Sequence, residues 1–165
     1  MGRPQKMAKS IIAIDPGSEK SAFVIWDGST IITAKIVPNE EMLTLLEWHS
    51  GWNMAKDKIV CLVIEKVQCY GMPVGETIFD TVFWSGRFVQ VWGEKWEAVP
   101  RGEVKLHICH NSRAKDSNIR CALIDRFGGS RDKAIGKKAS PGPLYGIKSH
   151  LWAALALGLY WYDTN

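Results

Sequence analysis

The sequence predicts an α/β fold: a mixed sheet in which three antiparallel strands come first and parallel strands follow, flanked by helices. Three features carry this prediction. Three short apolar runs rich in β-branched residues open the chain, joined by turn-rich links too short for a crossover. A nearly continuous apolar run, Ile59 to Ile64, has the composition of a strand buried on both faces. Beyond it, helical and strand-like spacings alternate to the C-terminus.

The first run, Ile11 to Ile14, stops abruptly at Asp15-Pro16-Gly17; Ala22 to Trp26 and Ile31 to Val37 follow, the latter across Asp27-Gly28. Such short links favour antiparallel neighbours. Asn39 is placed to cap a helix whose first turn carries Glu40 and Glu41, where negative charge meets the positive end of the helix dipole. Met42, Leu45, Leu46 and His49 mark its inner face, and Gly51 lies near its end. The run Ile59 to Ile64 also ends in a carboxylate, Glu65, and a polar, glycine-bearing loop extends to Gly75.

Ile78, Phe79, Val82, Phe83, Phe88, Val89 and Trp92 then recur at helical spacing. Gly86 inside that helix, at about 1 kcal/mol relative to alanine, points to close packing there. Val104 to Cys109 reads as a further strand. Asp116 or Ser117 begins a helix carrying Ile119, Ala122, Leu123 and Phe127, which Gly128-Gly129 stops. Residues 129–146 read as a basic flexible loop. The last helix, Ile147 to Tyr162, is apolar almost all round from Leu151, the pattern of a core helix, and His150 is the titratable residue near its start.

A single domain spanning 1–165 is expected, with residues 1–9 a frayed start. A chain of this size buries roughly 70% of its unfolded surface and needs no disulfide. Its 46% hydrophobic content excludes a disordered chain. No run reaches the roughly 20 uncharged residues of a membrane span, and the basic N-terminus lacks a signal-peptide apolar core, so a cytoplasmic protein is expected. The cysteines, 61, 69, 109 and 121, form no CxxC pair and fit a reduced compartment; His107, Cys109 and His110 are close in sequence, but strand alternation would separate them. Net charge is only +4, yet Lys105 to Lys148 holds ten Lys or Arg against three Asp, an uneven distribution that suits a polyanion. A solvated basic loop accounts for the same charges.

The element order is that of a ribonuclease-H-like sheet, in which the first and fourth strands lie side by side at the centre. Their carboxyl ends would bring Asp15 and Glu65 together, the Pro-Gly turn aiming Asp15 into a cleft. Two adjacent carboxylates repel, and burial aggravates the repulsion. A divalent cation relieves it, and oxygen ligands suit Mg²⁺ or Mn²⁺, two of which about 3.5–4 Å apart could activate water against a phosphodiester. Turn capping by Asp15, and an ion pair of Glu65 with Lys66 or another base, are the alternatives.

The segments "AIDPGSEKSAFVIWDG", "LVIEKVQCYGMPVG", "HNSRAKDSNIRCALIDRFG" and "KSHLWAALALGLYW" resemble, in order and spacing, the RuvC-type Holliday junction resolvases, most closely the branch found in phages and prophages. The resemblance runs from about residue 10 to 162. It implies that Asp15 and Glu65 are catalytic metal ligands, and that His150 stands where the family has Asp or His on the last helix, as ligand or as base; a polar residue at the helix start is the alternative for His150. The family often has another acid one turn later; here that position is Ala153. Asp116 is the candidate fourth acid, or a cap of its own helix. Lys115 matches a basic position of the family and is a candidate phosphate contact, with Arg113, Lys137, Lys138 and Lys148 extending a DNA-binding face. The family's aromatic wedge falls at Gln68, with Tyr70 two residues on; Tyr70 and Met72 could unstack bases or anchor their loop.

The implied protein is a metal-dependent, structure-selective endodeoxyribonuclease, using Mg²⁺ or Mn²⁺. It would resolve four-way junctions in branched double-stranded DNA as a homodimer, in the cytoplasm of a bacterial or phage-infected cell. A less selective ribonuclease-H-like nuclease, acting on branched DNA or RNA–DNA hybrids, is one alternative. A catalytically weakened junction-binding protein is the other, suggested by Ala153.

Overall fold

The computed structural model describes residues 9–50 and 59–165; most of the expected frayed start and Gly51 lie outside them. Five strands form one sheet in the order β3-β2-β1-β4-β5. β1 (Ile11–Asp15), β2 (Lys20–Trp26) and β3 (Ile31–Pro38) are antiparallel neighbours, while β4 (Cys61–Lys66) runs parallel to β1, and β5 (Trp96–Pro100) parallel to β4. β1 is wholly buried, and its side chains alternate between the sheet's two faces, as the period of two requires.

Each face has its own core. Ile12, Ile14, Phe23, Ile25, Leu62 and Ile64 pack with Met42, Leu46, Phe88 and Trp92 from α1 (Asn39–His49) and α2 (Glu76–Trp92). Ile11, Ala13, Ala22, Val24, Cys61 and Val63 pack on the other side, against α3 (Arg101–Cys109), α4 (Asp116–Phe127) and above all α6 (Leu151–Thr164). Gly158 brings α6 into contact with the sheet: a Cβ there would stand 3.4 Å from Trp26 Cε3 and 3.5 Å from the Ala13 methyl. No helix of the described residues is long and apolar enough to cross a membrane.

Four local expectations need correction. Residues 104–109 are not a strand; they belong to α3, and the strand preceding it is β5. The alternation of Val104, Leu106 and Ile108 imitates a strand. Helical geometry instead puts Val104 and Ile108 on the core side and leaves Leu106 54% exposed. Asn39 does not cap α1, whose N-cap residue is Pro38 and lacks a side-chain cap bond; Asn39 is buried and bonded elsewhere. Gly86 marks no close packing among the described residues, where a Cβ would meet nothing within 4 Å. The segment read as a flexible loop contains α5 (Arg131–Ala134) and a small ribbon of β6 (Gly136–Lys137) and β7 (Ser140–Pro141), with Ala134 and Leu144 fully buried.

Candidate active site

The register of β1 and β4 pairs Ile11 with Cys61 and Ile14 with Ile64. Asp15 and Glu65 are the next residues of each strand. Counting by twos from Ile11 and Cys61 puts both on the α6 face. Asp15 is only 6% exposed, and the Glu65 side chain 16%. The turn after Asp15 is held by a closed set of bonds. The Gly17 N–H donates to Ser21 Oγ (3.1 Å), Ser21 Oγ–H donates to Asn39 Oδ1 (2.6 Å), and Asn39 Nδ2 donates back to the Gly17 carbonyl (2.9 Å). Gly17 leaves no room for a side chain, because a Cβ there would fall 2.2 Å from the Lys20 carbonyl oxygen. Burying Asn39 therefore fixes where β1 ends and where its carboxylate lies.

Three elements bring further groups. His150, at the N-cap of α6, places Nδ1 3.0 Å from Asp15 Oδ2. An ionised carboxylate only accepts, so the hydrogen is assigned to Nδ1 and the ring's Nε2 is left for other work. Arg101, the first residue of α3, follows β5 and so stands beside Glu65. Its Nη1 lies 3.3 Å from both Glu65 oxygens, and its Nη2 donates to Asp116 Oδ1 at 2.9 Å. Lys105 Nζ, one helical turn on, is 3.4 Å from the same Asp116 oxygen. Glu65, Arg101, Lys105, Asp116 and His150 share the wall of a cavity of about 330 Å³. A second hollow, about 400 Å³, adjoins Tyr70, Arg101, Lys105 and Arg113.

Burial raises the pKa of Asp15, and His150 and Arg101 only partly offset it. Glu65 is raised by burial and then by the neighbouring Asp15 charge, which outweigh the pull of Arg101. Asp116, near the surface, is lowered chiefly by its hydrogen bond from Arg101. Burial disfavours the charge of Arg101, but Glu65 and Asp116 overcome it and hold the guanidinium above its ordinary value. Both inner acids thus carry a charge that burial disfavours. Carboxylate oxygens and an imidazole are a donor set that fits Mg²⁺ or Mn²⁺. Among the described residues, however, no three His, Cys, Asp or Glu side chains are gathered closely enough to hold an ion. Arg101 stands on Glu65 instead.

Asp15, Glu65, His150 and Asp116, all singled out in the sequence, thus lie around one cleft, with Ala153 in its wall. Asp116 turns its carboxylate to Arg101 and Lys105, and it is Asn118 whose side chain accepts from the Lys115 backbone N–H. Tyr70 is 68% exposed with φ +49°, so it is not a buried anchor, and Met72 is exposed beside it. Lys115 and Lys148 are exposed near the starts of α4 and α6. Lys137 and Lys138 are exposed at the β6–β7 turn and line neither cavity. Sequence reasoning overlooked Arg101 and Lys105 as site residues. The signal for them was present but needed the right helix: Arg101 and Lys105 are four apart, one turn of α3.

No protein-family model matches the chain, and no curated protein matches it. Among solved structures, Thermus thermophilus RuvC matches with a TM-score of 0.59 and 14% identity, covering 94% of this chain and 96% of that one. T. thermophilus RuvC in complex with a Holliday junction substrate matches with a TM-score of 0.60 and 13% identity, covering 92% of each chain. The resemblance read from the motifs is therefore also one of structure: the chain has the RuvC fold, a ribonuclease-H-like mixed sheet flanked by helices.

Proposed function

We propose that this protein is a metal-dependent, structure-selective endodeoxyribonuclease that resolves four-way DNA junctions. The observation that carries the reading is the meeting of Asp15 and Glu65 at the carboxyl ends of adjacent parallel strands, with His150 of α6 against Asp15. Strand ends beside a helix start are where α/β sheets place their reactive groups. When bound there, Mg²⁺ or Mn²⁺ would supply charge neutralisation and an acidified water.

The chain's own groups would do the rest. Asp15 and Glu65 hold the cation, while Asp15 also orients the His150 ring through Nδ1. That leaves Nε2 to take a proton from the attacking water. Lys105, with its side chain 18% exposed, offers a cation on the cleft wall to the phosphate. Arg113, Lys115, Lys137, Lys138 and Lys148 meet the DNA backbone, and the exposed Tyr70 ring stacks on an unpaired base.

A four-way junction has near two-fold symmetry, which a homodimer matches. α2 supports that assembly. Phe79 (63% exposed), Val82 (50%) and Phe83 (63%) form an exposed apolar stripe, and Gly86, where a Cβ would meet nothing within 4 Å among the described residues, would let a second helix approach.

The test is cleavage of a labelled four-way junction beside linear duplex, with and without Mg²⁺ or Mn²⁺. Paired, symmetrical, metal-dependent nicks in the junction alone are expected. Equal cutting of flaps or RNA–DNA hybrids would favour the less selective nuclease. Binding without cleavage would favour the junction-binding protein, a reading to which Ala153 and the Arg101–Glu65 contact lend support.

A further inference from the structure

We propose that Arg101 is a built-in counter-ion that occupies Glu65 in the metal-free protein and must release it before a divalent cation can bind, with Asp116 as the outer anchor that receives the guanidinium. The proposal rests on the metal-dependent reading above and assigns it a control element.

Four observations carry it. Arg101 spans one inner and one outer acid: the Glu65 side chain is 16% exposed and that of Asp116 72%. The contacts are unequal, since Nη1 lies 3.3 Å from each Glu65 oxygen and Nη2 2.9 Å from Asp116. The guanidinium is therefore seated more closely on the outer acid. Arg101 is not enclosed by packing, since it borders both the 330 Å³ cavity and the 400 Å³ hollow beside Tyr70 and Arg113 and its side chain is 37% exposed. Finally, Ala153 occupies the cleft wall one turn after His150 and contributes no carboxylate, so Glu65 is an acid the site can ill afford to leave engaged.

The charges lead to the same conclusion. Asp15, Glu65 and Asp116 all act on Arg101, and Lys105 pairs with Asp116, so a cation entering this cleft meets one net negative charge from these five groups. Without Arg101 it would meet two. Like charges within a few ångströms exclude one another, and in a partly buried cleft water screens that exclusion weakly. Arg101 and a divalent cation on Glu65 are therefore alternatives, and Asp116 is better placed to retain the guanidinium than to bind the ion.

The test is Mn²⁺ binding to the full chain without DNA, read by calorimetry and by the electron paramagnetic resonance of free Mn²⁺. Arg101→Gln should tighten binding by about tenfold or more, since each tenfold corresponds to about 1.4 kcal/mol. Arg101→Lys, which keeps the charge, should bind no more than about threefold tighter than the parent. Asp116→Asn should weaken binding severalfold in the parent, where Arg101 loses its anchor, and by less than about twofold in Arg101→Gln. Unchanged or weaker binding in Arg101→Gln overturns the proposal while leaving the nuclease reading intact, as does an equal loss on Asp116→Asn in both backgrounds, which would make Asp116 a ligand. If neither the parent nor Arg101→Gln binds Mn²⁺ at millimolar concentration, the metal-dependent reading falls and the counter-ion role falls with it. Thermal unfolding in the absence of metal gives a check on folding. Arg101→Gln should melt cooperatively, with a larger Mn²⁺-induced rise in Tm than the parent.

Discussion

His150 Nδ1 lies 3.0 Å from Asp15 Oδ2, although 135 residues separate them in the chain. The carboxylate is almost wholly enclosed and the imidazole largely exposed, so Asp15 is the fixed partner that orients the ring. This makes His150 testable through its two nitrogens. His150→Ala should reduce junction cleavage by about 10²-fold or more, the scale of a lost general base, with junction binding kept. His150→Asp should remain active, because a carboxylate at that position can also hold a cation or take a proton from water. Ala153→Asp should raise activity at low metal. Rates against pH and Mn²⁺ concentration decide it; parent-like cleavage by His150→Ala removes His150 from the chemistry.

Asp15→Asn and Glu65→Gln should each abolish cleavage yet stabilise the metal-free protein at neutral pH. Both carboxyls have folded pKa values above their ordinary ones, by burial first and, for Glu65, by Asp15 next. A group raised in this way binds more protons when folded than when unfolded. Stability therefore falls as pH rises through the window between the ordinary and the raised values, and the penalty is complete above it. Adding Mn²⁺ at neutral pH should offset that penalty in the parent and do so far less in either variant. A Tm rise of about 2–4 °C per kcal/mol relieved is the readout. A variant that melts below the parent without metal at pH 7 contradicts the account.

Asn39→Ala removes the amide that donates to the Gly17 carbonyl and accepts from Ser21. Leaving these buried groups unmet should cost about 1–3 kcal/mol. The turn after Asp15 should loosen with it, so cleavage at saturating metal should fall further than global stability explains. Denaturant unfolding and cleavage rates measured on the same preparation separate the two effects.

Replacing Lys137 and Lys138 by alanine tests whether the β6–β7 turn meets DNA. Both are exposed and outside the cleft, so catalysis on bound junction should be unchanged. The slope of log affinity against log salt should flatten by up to about one unit for each lost phosphate contact. An unchanged slope places the turn away from the backbone.

Much of this architecture is written locally. The β-branched runs Ile11–Ile14 and Ile59–Ile64, the Pro16-Gly17 break and the apolar stretch after His150 each specify an element from neighbouring residues alone. Once β1 and β4 pair in parallel, the period of two carries Asp15 and Glu65 to one face. That is how the sequence placed the two inner acids on one face, whereas His150 was singled out by the motif resemblance of the last helix. Other features depended on distant partners. Asn39 has the composition of a cap, but burial against Ser21 and Gly17 gave it a different bond set. Val104, Leu106 and Ile108 alternate like a strand, and only packing against the sheet and α6 selects the helix that leaves Leu106 outside. The bridge from Glu65 through Arg101 to Asp116 joins residues 36 and 15 positions apart. Periodicity reports which face of an element is apolar, and nothing in it says which charged side chains from separate elements will share a cleft. Here the sequence by itself determined the first four strands and the acids that end β1 and β4, whereas the tertiary structure alone decided that β5 is the fifth strand and that a guanidinium stands between Glu65 and Asp116.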